Sequence, residues 1–245
     1  MDYAGVDMAL LHRTPYLGIG NDFIAHCCLR FPERLQGLAH IEEWLIRPEM
    51  DGSIRKLHQA FNTHKLHGLQ FLPDHIPLYG QSEDWHDNAF TSFWDALMTF
   101  GVPLFVTPGY SALATAAGAP VSHVITQLER IGTWMNRYPN VTVVLTHGLS
   151  SRTFCNEDTL TIPDEIYSSI PCSPNFYLQL LFPISLGDRW DYPMLEVKPT
   201  VEILIDRLGV KHLIWGTDMP IVMRYYTYRQ TLEHIRTCLN NLTRT

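Results

Sequence analysis

The sequence predicts an α/β fold, a (β/α)8 TIM-type barrel, distorted or incomplete, with about seven strands recognisable. Three observations predict it. Short apolar runs alternate with longer segments of helical periodicity along the chain, the pattern of parallel strands joined by crossover helices. Several runs, such as Val102 to Val106 and Val141 to Leu145, are continuous rather than alternating, as strands covered on both faces are. The length of 245 residues, 46% of them hydrophobic, is enough for one large core, so residues 1–245 are expected to form a single domain.

Taken in order, Val6 to Leu11 reads as a strand ending at His12 and Arg13. Asn21 is expected to cap a helix carrying Phe23, Ile24, Cys27 and Leu29. Leu35 to Ile41 is a second strand. Ile54, Leu57 and Phe61 then recur at spacings of three and four, which predicts a helix between Pro48 and His64 with His58 and His64 at the surface. Leu66 to Leu72 is the third strand, closed by a turn at Pro73, Asp74 and His75. A helix from about Ala89 to Phe100 turns Phe93, Trp94, Leu97 and Met98 inward and stops at Gly101. Val102 to Val106 follows, ended by Thr107-Pro108-Gly109; a helix from about Val121 to Asn136 offers Val124, Leu128, Ile131 and Met135; and Val141 to Leu145 ends at Thr146-His147-Gly148. Ser150 to Pro174 is punctuated by prolines and reads as a long loop, a candidate lid. Phe176 to Phe182 is the next strand, and a helix from about Thr200 to Leu208 follows it. Leu213 to Trp215 is the last strand, where Gly216 is expected to make the tight turn, and a helix from Tyr228 to Leu242 closes the chain.

Composition excludes some functions. The net charge is −7 and the basic residues are scattered, which argues against nucleic acid or an anionic membrane surface as partner. No apolar run is long enough to span a bilayer, and Asp2 and Asp7 interrupt the start, so a cytoplasmic protein is expected. Five cysteines without metal-ligand spacing read as reduced thiols.

Parallel strands of a barrel all end at one rim, and His12, Thr107, His147 and Asp218 each follow an apolar run. Asp218 can bind a metal, take a proton or hold a histidine, and equally can cap the following helix. Arg152 is placed to pair with a substrate carboxylate, or stands as a solvated loop residue. Trp215, with Tyr110 and Tyr225, suits a flat ring but also ordinary packing. The expected roles are catalysis for Asp218 and His147, and substrate binding for His12, Thr107, Arg152 and Trp215.

Seven segments in order resemble the amidohydrolase-related family, in the branch of aminocarboxymuconate-semialdehyde decarboxylase and the aromatic-acid decarboxylases. They are Met1–Asp7, Phe31–Gly37, Gly68–Pro73, Phe93–Ala96, Val102–Gly109, Leu145–Gly148 and Trp215–Pro220. The resemblance implies a distorted (β/α)8 barrel with its site at the C-terminal strand ends, and a divalent metal such as zinc or manganese. It assigns His147 to the histidine that polarises substrate or activates water, and Asp218 to the metal-binding, proton-handling acid. The first strand with its His-x-His is not matched; Thr107 and Leu72 stand where histidines are usual. A catalytic zinc needs three protein ligands and an open position, so whether a metal binds is left open, with His12, His75 or a partner subunit as further donors.

Three readings follow. The chain is a metal-free enzyme in which His147 and Asp218 do acid–base chemistry on a small cyclic or aromatic carboxylic acid, by decarboxylation or hydrolysis; or a metal-dependent relative whose first strand is missing from this chain; or a binding or structural barrel that has lost the metal site. The unmatched strand would expose the edges of its neighbours, which predicts a homo-oligomer. Light scattering at micromolar concentration should show a dimer or larger, and a sharp monomer peak would refute this.

Overall fold

In the computed structural model, residues 1–13, 18–81, 84–108, 120–149 and 151–239 are described. Tyr110, Ser150 and the end of the helix expected to reach Leu242 lie outside these. The chain divides into two compact units: residues 1–108 with 133–144, and residues 109–132 with 145–245.

In the first unit β1 (Ala9–Leu11), β2 (Leu35–Ala39), β3 (Gly68–Phe71) and β4 (Leu104–Val106) form where apolar runs were expected, but shorter by one to three residues at their ends. Each pairs in parallel with the next, with Ala9 opposite Leu35, Leu38 opposite Gly68 and Leu69 opposite Leu104. Leu104 also donates to the Thr142 carbonyl just before β5 (Val143–Leu145). Val143 and Val144 are buried, as a continuous β-branched run requires. The core beside these strands is aromatic. Trp94 meets Phe71, Trp85, Phe93 and Trp134 edge-on at centroid separations of 5.0 to 5.9 Å, and its indole N–H donates to the Trp85 carbonyl at 2.7 Å. The helix expected from about Ala89 to Phe100 is a 3-10 turn, Asn88–Phe90, followed by an α-helix, Thr91–Met98, capped at Thr99; Gly101, left-handed at φ 61°, comes two residues after that cap.

One local expectation is corrected here. Asn21 is the first residue of the helix Asn21–Arg30, not its cap; Gly20 caps it without a side-chain bond. The Asn21 amide instead reaches β2, accepting from His40 N–H and donating to His40 C=O, both at 2.9 Å. That pair satisfies a strand end, which outweighs one helix N–H. The helix after Pro48 runs Met50–His58 and passes into a π turn, Gln59–Thr63, with Leu57 and Phe61 buried, His58 exposed and His64 half-buried.

In the second unit β6 (Phe176–Leu180) pairs in parallel with β7 (Leu213–Trp215), Gln179 lying opposite Ile214. The strand expected to reach Phe182 stops two residues early, because Pro183 sets the backbone for a short helix, Phe182–Leu186. Ser150 to Pro174 is not a structureless loop: it holds a 3-10 turn, Ser151–Phe154, a bridge between Cys155 and Leu160, and a helix, Asp164–Ser169. It is also tied down, since Trp190 donates to Glu157 C=O at 3.0 Å, Thr200 to Leu160 C=O at 3.3 Å, and Arg207 to Asp164 at 2.7 Å. These ties argue against a lid that swings as a whole. No helix among the described residues is long and apolar enough to cross a membrane.

Two buried histidines couple the fold to pH. His40 is fully buried and accepts the Arg13 N–H on Nε2 at 3.0 Å, so it is neutral with its proton on Nδ1; burial, then Arg13 and His12, hold its pKa well below 6.5. His234, equally buried, donates Nδ1–H to the Pro193 carbonyl at 2.8 Å, and burial lowers its pKa against that bond. Both pKa values are lower in the folded chain, so the unfolded chain takes up protons first as pH falls. The stability from these neutral rings is complete above 6.5 and is lost as pH drops towards the folded-state values. Urea unfolding should show lower stability at about pH 5.5 than at about pH 7.5, and His234→Asn should flatten that slope.

Candidate active site

The residues that converge are His147 and Asp218, both in the second unit. His147 follows β5 by two residues and Asp218 follows β7 by three. Imidazole Nε2 stands 3.9 Å from Asp218 Oδ2, and each side chain is 13% exposed. That is too long for a direct hydrogen bond, yet both atoms can bond one third atom at about 2.8 Å lying off their line. Nδ1 of His147 lies 3.3 Å from the Thr146 hydroxyl.

The backbone at both positions is unusual. Four non-glycine residues among those described have positive φ, and two of them are His147, at 61°, and Asp218, at 50°. A left-handed non-glycine residue costs on the order of 1–2 kcal/mol and persists where surroundings enforce it, most often at functional sites. Asp218 is not the cap of the following 3-10 turn, Ile221–Arg224, which Pro220 caps; the Asp218 carbonyl accepts Val222 N–H at 3.3 Å. Nor does Gly216 make the turn through positive φ. A Cβ there would lie 2.3 Å from Gln179 Nε2, so the position is glycine for lack of room.

Gln179 is the residue that the sequence reading missed. Its Oε1 accepts the His147 backbone N–H at 3.2 Å while its amide rests on Gly216. The available signal was a glutamine within an apolar strand, flanked by Leu178 and Leu180, both buried. His147 also lines a small, mostly apolar pocket with Leu149, Ile162, Leu178 and Phe182 among others.

The other expected residues are used differently. Arg152 makes a two-pronged pair with Asp188, at 3.1 and 2.5 Å, and reaches Ser185 C=O at 3.4 Å. Its guanidinium is matched to a carboxylate of the chain. Trp215 donates its indole N–H to Thr231 C=O at 3.1 Å and packs on Tyr228 at 6.0 Å, which anchors the closing helix, Tyr228–Leu239. His12 and Thr107 belong to the first unit. His12 is exposed and its Nδ1 meets Arg13 C=O at 3.1 Å; Thr107 is fully buried and donates its N–H to Phe71 C=O at 2.9 Å. His75 is held by Glu43, Nδ1 to Oε2 at 3.2 Å, and the other Glu43 oxygen accepts Leu72 N–H at 3.1 Å.

These donors do not fit a catalytic zinc. His147 and Asp218 supply two ligands where three are needed, and among the described residues no group of three or more histidine, cysteine, aspartate or glutamate side chains is arranged to hold a metal.

An amidohydrolase family model matches residues 11–243, and the chain belongs to that family. Among solved structures it is similar to 5-carboxyvanillate decarboxylase from Sphingomonas paucimobilis, at 18% identity and TM-score 0.61, covering 97% of this chain and 75% of that one. It is similar to 2,6-dihydroxybenzoate decarboxylase from Rhizobium, at 14% identity and TM-score 0.62, covering 98% and 86%. A probable 2-pyrone-4,6-dicarboxylic acid hydrolase from Acinetobacter baumannii is 12% identical with TM-score 0.60, covering 98% and 79%. No curated protein sequence matches. The fold is an α/β, incomplete TIM-type barrel with seven strands in chain order.

Purified protein from zinc- and manganese-supplemented medium should contain well below one metal ion per chain by mass spectrometry. Stoichiometric metal that vanishes in Asp218→Asn would reverse this assignment.

Proposed function

We propose that the chain is an enzyme acting on a small cyclic or aromatic carboxylic acid, with His147 and Asp218 as its acid–base pair. The observation that carries the reading is their separation of 3.9 Å, with both held left-handed at strand ends. Membership of the amidohydrolase family supports an enzyme, and likeness to decarboxylases and a hydrolase of aromatic or pyrone acids supports the substrate class.

The pair can serve either reaction. In decarboxylation, protonated His147 gives its Nε2 proton to the ring carbon bearing the carboxylate. The carbon–carbon bond then breaks, carbon dioxide leaves, and its electron pair restores the ring, while Asp218 stabilises the imidazolium and helps to return a proton. In hydrolysis, Asp218 takes a proton from the attacking water and His147 gives one to the departing oxygen. A positioned proton transfer contributes about 10²- to 10⁴-fold.

The competing reading, a binding or structural relative without chemistry, draws support from Arg152, whose charge is spent on Asp188. Turnover separates the two. In a panel of hydroxybenzoates and cyclic dicarboxylic acids, at least one should be consumed, and Asp218→Asn and His147→Gln should each lower kcat by about 10²- to 10⁴-fold. No consumption, or equal rates in the variants, would favour the non-catalytic relative.

A further inference from the structure

We infer that Gln179 is the positioning residue that sets the spacing of His147 and Asp218, through one amide clamped between the two chain segments that deliver them. The inference rests on the acid–base reading above. The His147 N–H can be met only by the amide oxygen, so the bond at 3.2 Å fixes which way round the Gln179 amide lies. Its nitrogen end is then turned onto Gly216, where a Cβ would come within 2.3 Å of Nε2, 2.5 Å of Cδ and 2.8 Å of Cγ. Gly216 is itself pinned to β6, donating to Leu180 C=O at 3.3 Å, and Asp218 follows two residues later. The amide cannot shift without pulling on the His147 peptide or pressing on the backbone before Asp218. Leucine would fill the same half-buried position and leave the His147 N–H without this partner, so the amide is what the position uses.

Three variants test this. Gln179→Met keeps length and loses the acceptor; Gln179→Glu keeps the acceptor; Gly216→Ala leaves the amide intact but pushes it off its seat. Hydrogen exchange at the His147 amide should quicken about fivefold in Gln179→Met and Gly216→Ala, the loss of one hydrogen bond, and return towards normal in Gln179→Glu. Crystal structures of the first two should show the His147–Asp218 separation changed by more than about 0.5 Å, the tolerance of a working constellation. On an acid that the parent chain consumes, kcat should fall about 10- to 100-fold with KM within about twofold, Gln179→Glu should recover most of it, and the double variant should be no worse than Gly216→Ala alone. Unchanged exchange and spacing, or fully additive losses, would overturn the inference. If the parent consumes no acid, the acid–base reading fails, and exchange and spacing still decide the role of Gln179.

Discussion

A parallel strand covered on both faces has no dry place for a charge along its length, and the rest of this structure depends on that constraint. Leu69, Phe71, Leu104, Val106, Val143, Leu178 and Leu180 are buried, and polar groups are displaced to where the strands stop. Arg13, His40, His75 and Thr107 come after strands of the first unit, and His147 and Asp218 after β5 and β7. Two glutamines break the pattern. Gln70 on β3 is buried with its Oε1 lacking a hydrogen-bond partner among the described residues, and Gln179 on β6 is bonded to the His147 peptide.

The Glu43–His75 and Asp218–His147 pairs differ in geometry, and the difference separates structure from chemistry. Glu43 is fully buried and both oxygens are in use, one on Leu72 N–H and one on His75, so the pair spends its capacity on the fold. His147 and Asp218 are partly exposed and stand apart by more than a hydrogen bond. A fully buried carboxylate with both oxygens engaged holds the chain in place; a partly exposed one standing 3.9 Å from an imidazole leaves room for a third group between them.

The seven strands were legible as short apolar runs, which burial on both faces explains for β3 and β5 while β1 and β7 are only half-buried or exposed, and His147 and Asp218 were legible because each follows such a run. What was not legible lies in partnerships between distant positions. Nothing near Arg152 announces that Asp188, 36 residues on, will take its guanidinium. Asn21 has the composition of a cap, and its use on the His40 backbone follows only once β2 lies beside it. The ordered helix Asp164–Ser169 was hidden by surrounding prolines, which mark irregular chain without saying where it settles. Gln179 was passed over because a lone amide in a strand has no motif.

Gly216 shows why such a position cannot be judged alone. Its φ is not in the left-handed region, and the three atoms that a side chain there would meet first all belong to Gln179. The two sites therefore form one unit of inheritance: in diverging relatives, a larger residue at 216 should appear only alongside a smaller or differently turned one at 179. Pairwise substitution across the family, rather than invariance at either column, is the trace this contact would leave.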